Sequence, residues 1–204
     1  MTRVLLWILG GVWLASCATS KSASKSAENK NAVPSTGSAQ SGAAAPATSQ
    51  QSLVPYSSPG HFSVLVPANV TNSQQTRDTP HGPVEIQISQ ASDPGKGINY
   101  LVSYSKFPDG ALDKSDPNKL LTSQRDQLVK SVNGQLVSTE DINVAGMPGM
   151  EFTADSPANQ KRVSARIIQG RNEVYTLVTS YPPGVEPADA QQFLESFQMT
   201  EPTG

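Results

Sequence analysis

From Ala18 to Ser52 the chain has no aromatic residue, and Val33 is its only large aliphatic side chain. Nine of these 35 residues are Ala and nine are Ser. No core can be assembled from them, because too little apolar surface is available to offset the entropy of ordering the backbone. Whatever folds must fold from residue 53 onward, and 17–52 is expected to be a flexible spacer with a root-mean-square reach of roughly 30 Å. The remaining 152 residues are enough for one sound core and too few for two. The formal charge of -2 and the pI near 5.7 leave no basic surplus for a nucleic-acid partner. One cysteine rules out an internal disulfide, and with two histidines the usual Cys/His zinc sites cannot be built.

The amino terminus has a different character. Arg3 is followed by an uncharged, mostly apolar run from Val4 to Leu14 and then by small residues, the proportions of an export signal over residues 1–16. The run is well short of the roughly 20 residues a membrane-spanning helix needs. Leu14, Ala15, Ser16 and Cys17 resemble the lipobox of bacterial lipoproteins. The resemblance implies cleavage after Ser16, a diacylglycerol thioether on Cys17 and acylation of the new amino terminus with a fatty acid such as palmitate. One acyl chain binds a membrane marginally, whereas two or three, at about 0.8 kcal/mol per buried methylene, hold it. Ala18, a residue other than aspartate after the cysteine, implies by the same family rule the outer membrane of a two-membrane cell.

Residues 53–204 read as a single α+β domain with an antiparallel sheet. LVPYSS and FSVLVP flank Gly60 as two short strands. VEIQIS and INYLVSYSKF are longer ones joined by a turn at DPGKG, with Ile98, Tyr100, Val102 and Tyr104 on one face. The polar, proline-containing stretch 69–83 reads as a loop. Asp116 and Pro117 form a helix start and Gly134 a helix stop, with Leu121, Leu128 and Val132 on one face between them. QLVSTEDINV, MEFTA, KRVSARII and EVYTLVTSY return to strand periodicity. Ala190, Phe193, Leu194 and Phe197 at helical spacing predict a closing helix. The order of FSVLVP, the helix followed by GQL, the PG of MPGMEF, KRVSARII with NEVYTLVTSY, and FLESF resembles the PsbP-like superfamily. That implies exported domains with an antiparallel sheet packed by helices, some serving as photosystem subunits or assembly helpers.

Candidate chemistry is sparse. His61 and His81 stand without a local carboxylate or cysteine, and Ser156, Ser164 and Ser180 lack a nucleophile-elbow context. Glu140 with Asp141, or Asp109 with Asp113, are the pairs that suggest a cation, without the EF-hand spacing. GKG at 95–97 is too short for a phosphate loop and reads as a turn. No catalytic, cofactor or metal residue is assigned. Lys161, Arg162, Arg166 and Arg171 form the strongest basic group, and strand alternation puts Arg162 and Arg166 on one face, opposite Val163, Ala165 and Ile167. The expected function is a non-catalytic envelope lipoprotein with an assembly or protein-interaction domain. Its expected partners are the membrane, through Cys17, and an envelope protein; Arg162 and Arg166 could meet an acidic protein or lipid headgroups, the alternative being a solvated sheet face. The alternative is a lipid-anchored small-ligand binder or hydrolase whose site forms only on folding.

Overall fold

Two antiparallel meanders joined by one helix make the main sheet. The computed structural model describes residues 52–58, 60–184 and 188–200, so the export segment, Cys17 and all but the end of the spacer lie outside the described residues. The first meander consists of β3 (Thr71–Thr79), β4 (Gly82–Asp93) and β5 (Ile98–Lys106). Helix α1 (Pro117–Ser131) then crosses to the far edge. From there β6 (Gln135–Val144), β7 (Met147–Ser156), β8 (Lys161–Gln169) and β9 (Glu173–Tyr181) run back until β9 pairs with β5. The strand order is β3-β4-β5-β9-β8-β7-β6, antiparallel throughout. A second sheet holds β1 (Leu53–Ser58), β2 (Phe62–Pro67) and the two-residue β10 (Gln198–Met199) in the order β1-β2-β10. Helix α2 (Ala188–Glu195) precedes β10. The α+β class and its antiparallel sheet are therefore as the sequence indicates.

One segment is corrected. Within 69–83, expected as a loop, Thr71–Thr79 forms strand β3, paired residue for residue with β4. TNSQQTRDT contains no apolar residue, so it shows no hydrophobic alternation. It is an edge strand, mostly exposed, and a polar edge is one way a sheet avoids pairing with another chain. Its hairpin is closed locally: the Thr79 hydroxyl donates to the Gly82 carbonyl at 2.6 Å, and Gly82 has a φ of 106°.

Helix α1 starts as its sequence dictates. The Asp116 carboxylate accepts from the amides of Asn118 (3.0 Å) and Lys119 (3.4 Å), with Pro117 in the first turn. At its other end the left-handed residue is Asn133 (φ 49°), not Gly134, whose amide instead donates back to the Val129 carbonyl at 2.8 Å. The helix packs on β6, β7 and β8 because its chain must cross those strands to reach the edge. Leu120, Leu121 and Leu128 are buried there with Met150, Phe152, Val163, Ala165 and Ile167.

The opposite face carries a more aromatic core. Ile98, Tyr100, Val102 and Tyr104 of β5 and Tyr175, Leu177 and Tyr181 of β9 meet Phe62, Val64 and Val66 of β2, Ala190, Phe193 and Leu194 of α2, and Phe197. Phe197 lies beyond the helix, although it joins the same cluster as the three residues that share its spacing. Strand β9 is buried on both faces, as a central strand must be when helices and a second sheet cover it.

Burial raises the phenol pKa values of Tyr100, Tyr104 and Tyr175, that of Tyr104 to about 12. In the unfolded chain these phenols ionise near 10, so above that pH the unfolded state binds fewer protons and folding stability falls as pH rises. The contribution of Tyr104 stops changing once its folded value near 12 is passed. Urea unfolding should show a midpoint that declines as pH rises above about 10. Tyr104→Phe should flatten part of that decline, and an identical profile for the variant would refute the assignment.

Candidate interaction face

The turn at residues 157–160 sets the register of the β7–β8 hairpin, and that register decides what each charge on β8 meets. Asp155 falls opposite Arg162, Thr153 opposite Ser164 and Glu151 opposite Arg166. Because both strands place these residues at spacing two, all six share the sheet face away from α1, while Val163, Ala165 and Ile167 turn inward beneath the helix. The shared face of Arg162 and Arg166 is thus found as expected. At the edge, Ser138 lies across from Thr153 and Glu140 across from Glu151, with an irregularity in the ladder between Leu136 and Ser138. These polar side chains are exposed or half-buried.

The charges are already organised. The Arg162 guanidinium grips Asp155 with two bonds, Nε to Oδ1 at 2.7 Å and Nη2 to Oδ2 at 2.9 Å. Such a parallel fork is the strongest geometry a guanidinium and a carboxylate offer. It lowers the Asp155 carboxyl pKa and raises that of Arg162, the hydrogen bond being the main cause in each. Arg166 donates from Nε to Glu151 Oε2 at 2.5 Å and from Nη1 to the Leu194 carbonyl at 3.0 Å, so it also ties α2 to the sheet. The Arg166 side chain is 19% exposed against 41% for Arg162, which makes Arg162 the more available of the two. Between them the Ser164 hydroxyl hydrogen-bonds Tyr181 Oη at 2.9 Å. Glu140, Glu151 and Asp155 outnumber the two arginines, so the face is a mixed-charge ladder with an acidic edge.

The other candidates disperse. Lys161 donates to the Gly97 carbonyl at 2.9 Å, and Arg171 sits in the β8–β9 turn, so the four basic residues do not gather. Glu140 and Asp141, adjacent on a strand, point to opposite faces and cannot share a cation. Asp109 instead accepts from the Asn172 amide at 2.7 Å. Ser156 donates to the Val132 carbonyl at 2.5 Å, and Ser180 accepts from Asn99 at 3.3 Å. His61 and His81 occupy the turns after β1 and β3. Among the described residues no three His, Cys, Asp or Glu side chains gather as a metal site. The carboxylate partners, Glu151 and Asp155, were the residues sequence reasoning overlooked. Their spacing of four, matched by that of the two arginines across a short turn, was the signal available.

No protein-family model and no curated protein matches the chain. Among solved structures it is similar to the solution structure of cyanobacterial PsbP from Synechocystis, at 14% identity and a TM-score of 0.48, covering 73% of this chain and 93% of that one. It is also similar to a Pseudomonas aeruginosa protein of unknown function, at 14% identity and a TM-score of 0.38, covering 74% and 99%. A third likeness is to a Bacteroides thetaiotaomicron protein, at 15% identity and a TM-score of 0.36, covering 76% and 50%.

Proposed function

We propose that the chain is a non-catalytic envelope lipoprotein, anchored through Cys17 and carried on the outer membrane where the cell has two. Its domain serves as an assembly or protein-interaction module. The observation that carries the reading is the charge ladder on β6, β7 and β8: Arg162 and Asp155 stay partly exposed on a half-buried face, while Ser156, Ser164, Ser180 and Asp109 are engaged in hydrogen bonds within the fold. Alternating charge of this kind contributes mainly to partner choice and association rate, through complementarity with a mixed-charge protein surface. The spacer lets the domain reach a partner roughly 30 Å from the lipid surface.

Crosslinking in native membranes tests this. The double variant Asp155→Arg with Arg162→Asp keeps an ion pair across the same two strands but reverses its polarity. Recovery of the partner is expected to fall about tenfold or more while the unfolding midpoint stays close to wild type. Unchanged recovery by the folded variant would refute the assignment of the face. Cys17→Ala should separately move the chain out of the membrane fraction and remove the mass of the lipid; no change in either would refute the anchor.

A further inference from the structure

Strand β6 ends the main sheet, and its outer edge has no strand partner among the described residues. Residues 135–141 are all exposed. Past the irregularity that leaves Val137 without a counterpart, residues 138–144 pair with β7 without a break, roughly 23 Å of continuous edge at about 3.3 Å per residue. The sheet's other edge, β3, is guarded by having no apolar residue. Strand β6 lacks that guard and carries neither Lys nor Pro. Near its start stand Leu136 and Val137, 42% and 55% exposed, two of the four exposed large hydrophobic side chains among the described residues.

The two charges on β6 are both negative and adjacent, so Glu140 and Asp141 project from opposite faces of the edge. Neither makes an ion pair among the described residues. Glu140 lies directly across from Glu151, whose carboxylate is engaged by Arg166, and like charges opposed across two strands repel. On the other face Arg125 of α1 reaches β6 only at Thr139, Nη1 to Oγ1 at 3.4 Å, while its Nε and Nη2 both serve Asp126. A strand that pairs with β6 therefore meets one carboxylate on each face at neighbouring positions. It answers both with two consecutive cations, because its own successive side chains also alternate between faces. That requirement excludes the chain itself as occupant. Its only adjacent basic residues are Lys161 and Arg162, and both lie in β8, already paired on either side by β7 and β9. A second β6 has no cation to offer, and Lys21, Lys25 and Lys30 of the spacer are not adjacent to one another.

We infer that the outer edge of β6 takes an extended segment of another envelope protein as an added strand, and that this segment carries two consecutive Lys or Arg residues flanked by apolar ones. Main-chain hydrogen bonds along 138–144 supply affinity, Glu140 and Asp141 set register and partner choice, and Leu136 with Val137 give the apolar contact. The inference rests on the reading of the domain as an interaction module and adds the partner's chemistry to it. A short blocked peptide of threonine and valine around a central Lys-Lys pair is the probe, with a Glu-Glu version as control. In fluorescence anisotropy at low salt the full chain should bind the Lys-Lys peptide saturably, at least about tenfold more tightly than the control. Glu140→Lys combined with Asp141→Lys, both at exposed positions, should reverse that preference while the unfolding midpoint stays close to wild type. A probe with its central backbone amides methylated keeps both cations but cannot pair as a strand, and it should bind at least about tenfold more weakly. Equal binding of the Lys-Lys and Glu-Glu peptides, or undiminished binding of the methylated one, overturns the inference. So does a concentration-dependent dimer of the full chain that the double variant abolishes, since a second copy would then be the occupant. The probe needs no native partner, so its failure removes the edge assignment alone, whereas failure of the interaction reading shows in the membrane crosslinking.

Discussion

Replacing Tyr175 by alanine is expected to lower stability by about 3–5 kcal/mol, the range for deleting a buried aromatic ring. Tyr175 is 2% exposed and is the hub of the aromatic core: its ring centroid lies 5.8 Å from that of Phe62, 5.4 Å from that of Tyr104 and 5.3 Å from that of Phe197. These partners come from β2, β5 and the segment after α2, so one ring joins the small sheet, the main sheet and the residue that follows α2. The cavity would open among rings whose own positions are fixed by further contacts, including the stacking of Phe62 on Phe197 at 5.6 Å, so little of it can close. Tyr175→Phe separates ring from hydroxyl. The hydroxyl donates to the Gly60 carbonyl at 3.4 Å, a long bond, and its loss should cost no more than about 1 kcal/mol. Urea unfolding of both variants measures the difference. An alanine variant within about 1 kcal/mol of wild type would show that this cluster does not hold the two sheets together.

The same cluster shows how much of the fold was legible in advance. Ile98, Tyr100, Val102 and Tyr104 alternate plainly along β5, and all four are buried on one face. For β9 two alternating sets, one beginning at Val174 and one at Tyr175, fit equally well, and both are buried because the strand is central. Helix α1 was legible in its cap and its apolar face, since both signals are local. Strand β3 was not, because an edge strand with no apolar side chain has its structure dictated by its partner rather than by its own pattern. Arg162 and Arg166 could be placed on one face from alternation alone, but their engagement by Asp155 and Glu151 depends on hairpin register. The pairing of Lys96 with Asp189, and of the Tyr100 ring with Phe193, was beyond reach. It requires a helix that begins some ninety residues later to return over β5, and nothing within a short window of sequence records that.

Gly149 extends the argument from contact to sign. It is the glycine of the Pro-Gly pair in β7, buried in the row between Ile142 of β6 and Ile168 of β8. In extended backbone, glycine to alanine ordinarily stabilises a protein by about 0.4–1 kcal/mol, because the unfolded chain loses freedom. Here a Cβ would stand 2.9 Å from the Ile167 carbonyl oxygen and 3.0 Å from Ile142 Cγ1. The first of these is backbone and belongs to the neighbouring strand, so relief requires moving the β7–β8 ladder itself. Gly149→Ala is therefore expected to destabilise by about 1–3 kcal/mol, as overpacking of a tight site does, reversing the usual sign. Removing the side-chain contact should not restore stability: Gly149→Ala introduced into an Ile142→Ala background should still cost at least about 1 kcal/mol, since the carbonyl contact persists. Full rescue in that background would assign the restriction to the Ile142 side chain instead. A stabilised single variant would show that the two strands can separate at this point without loss.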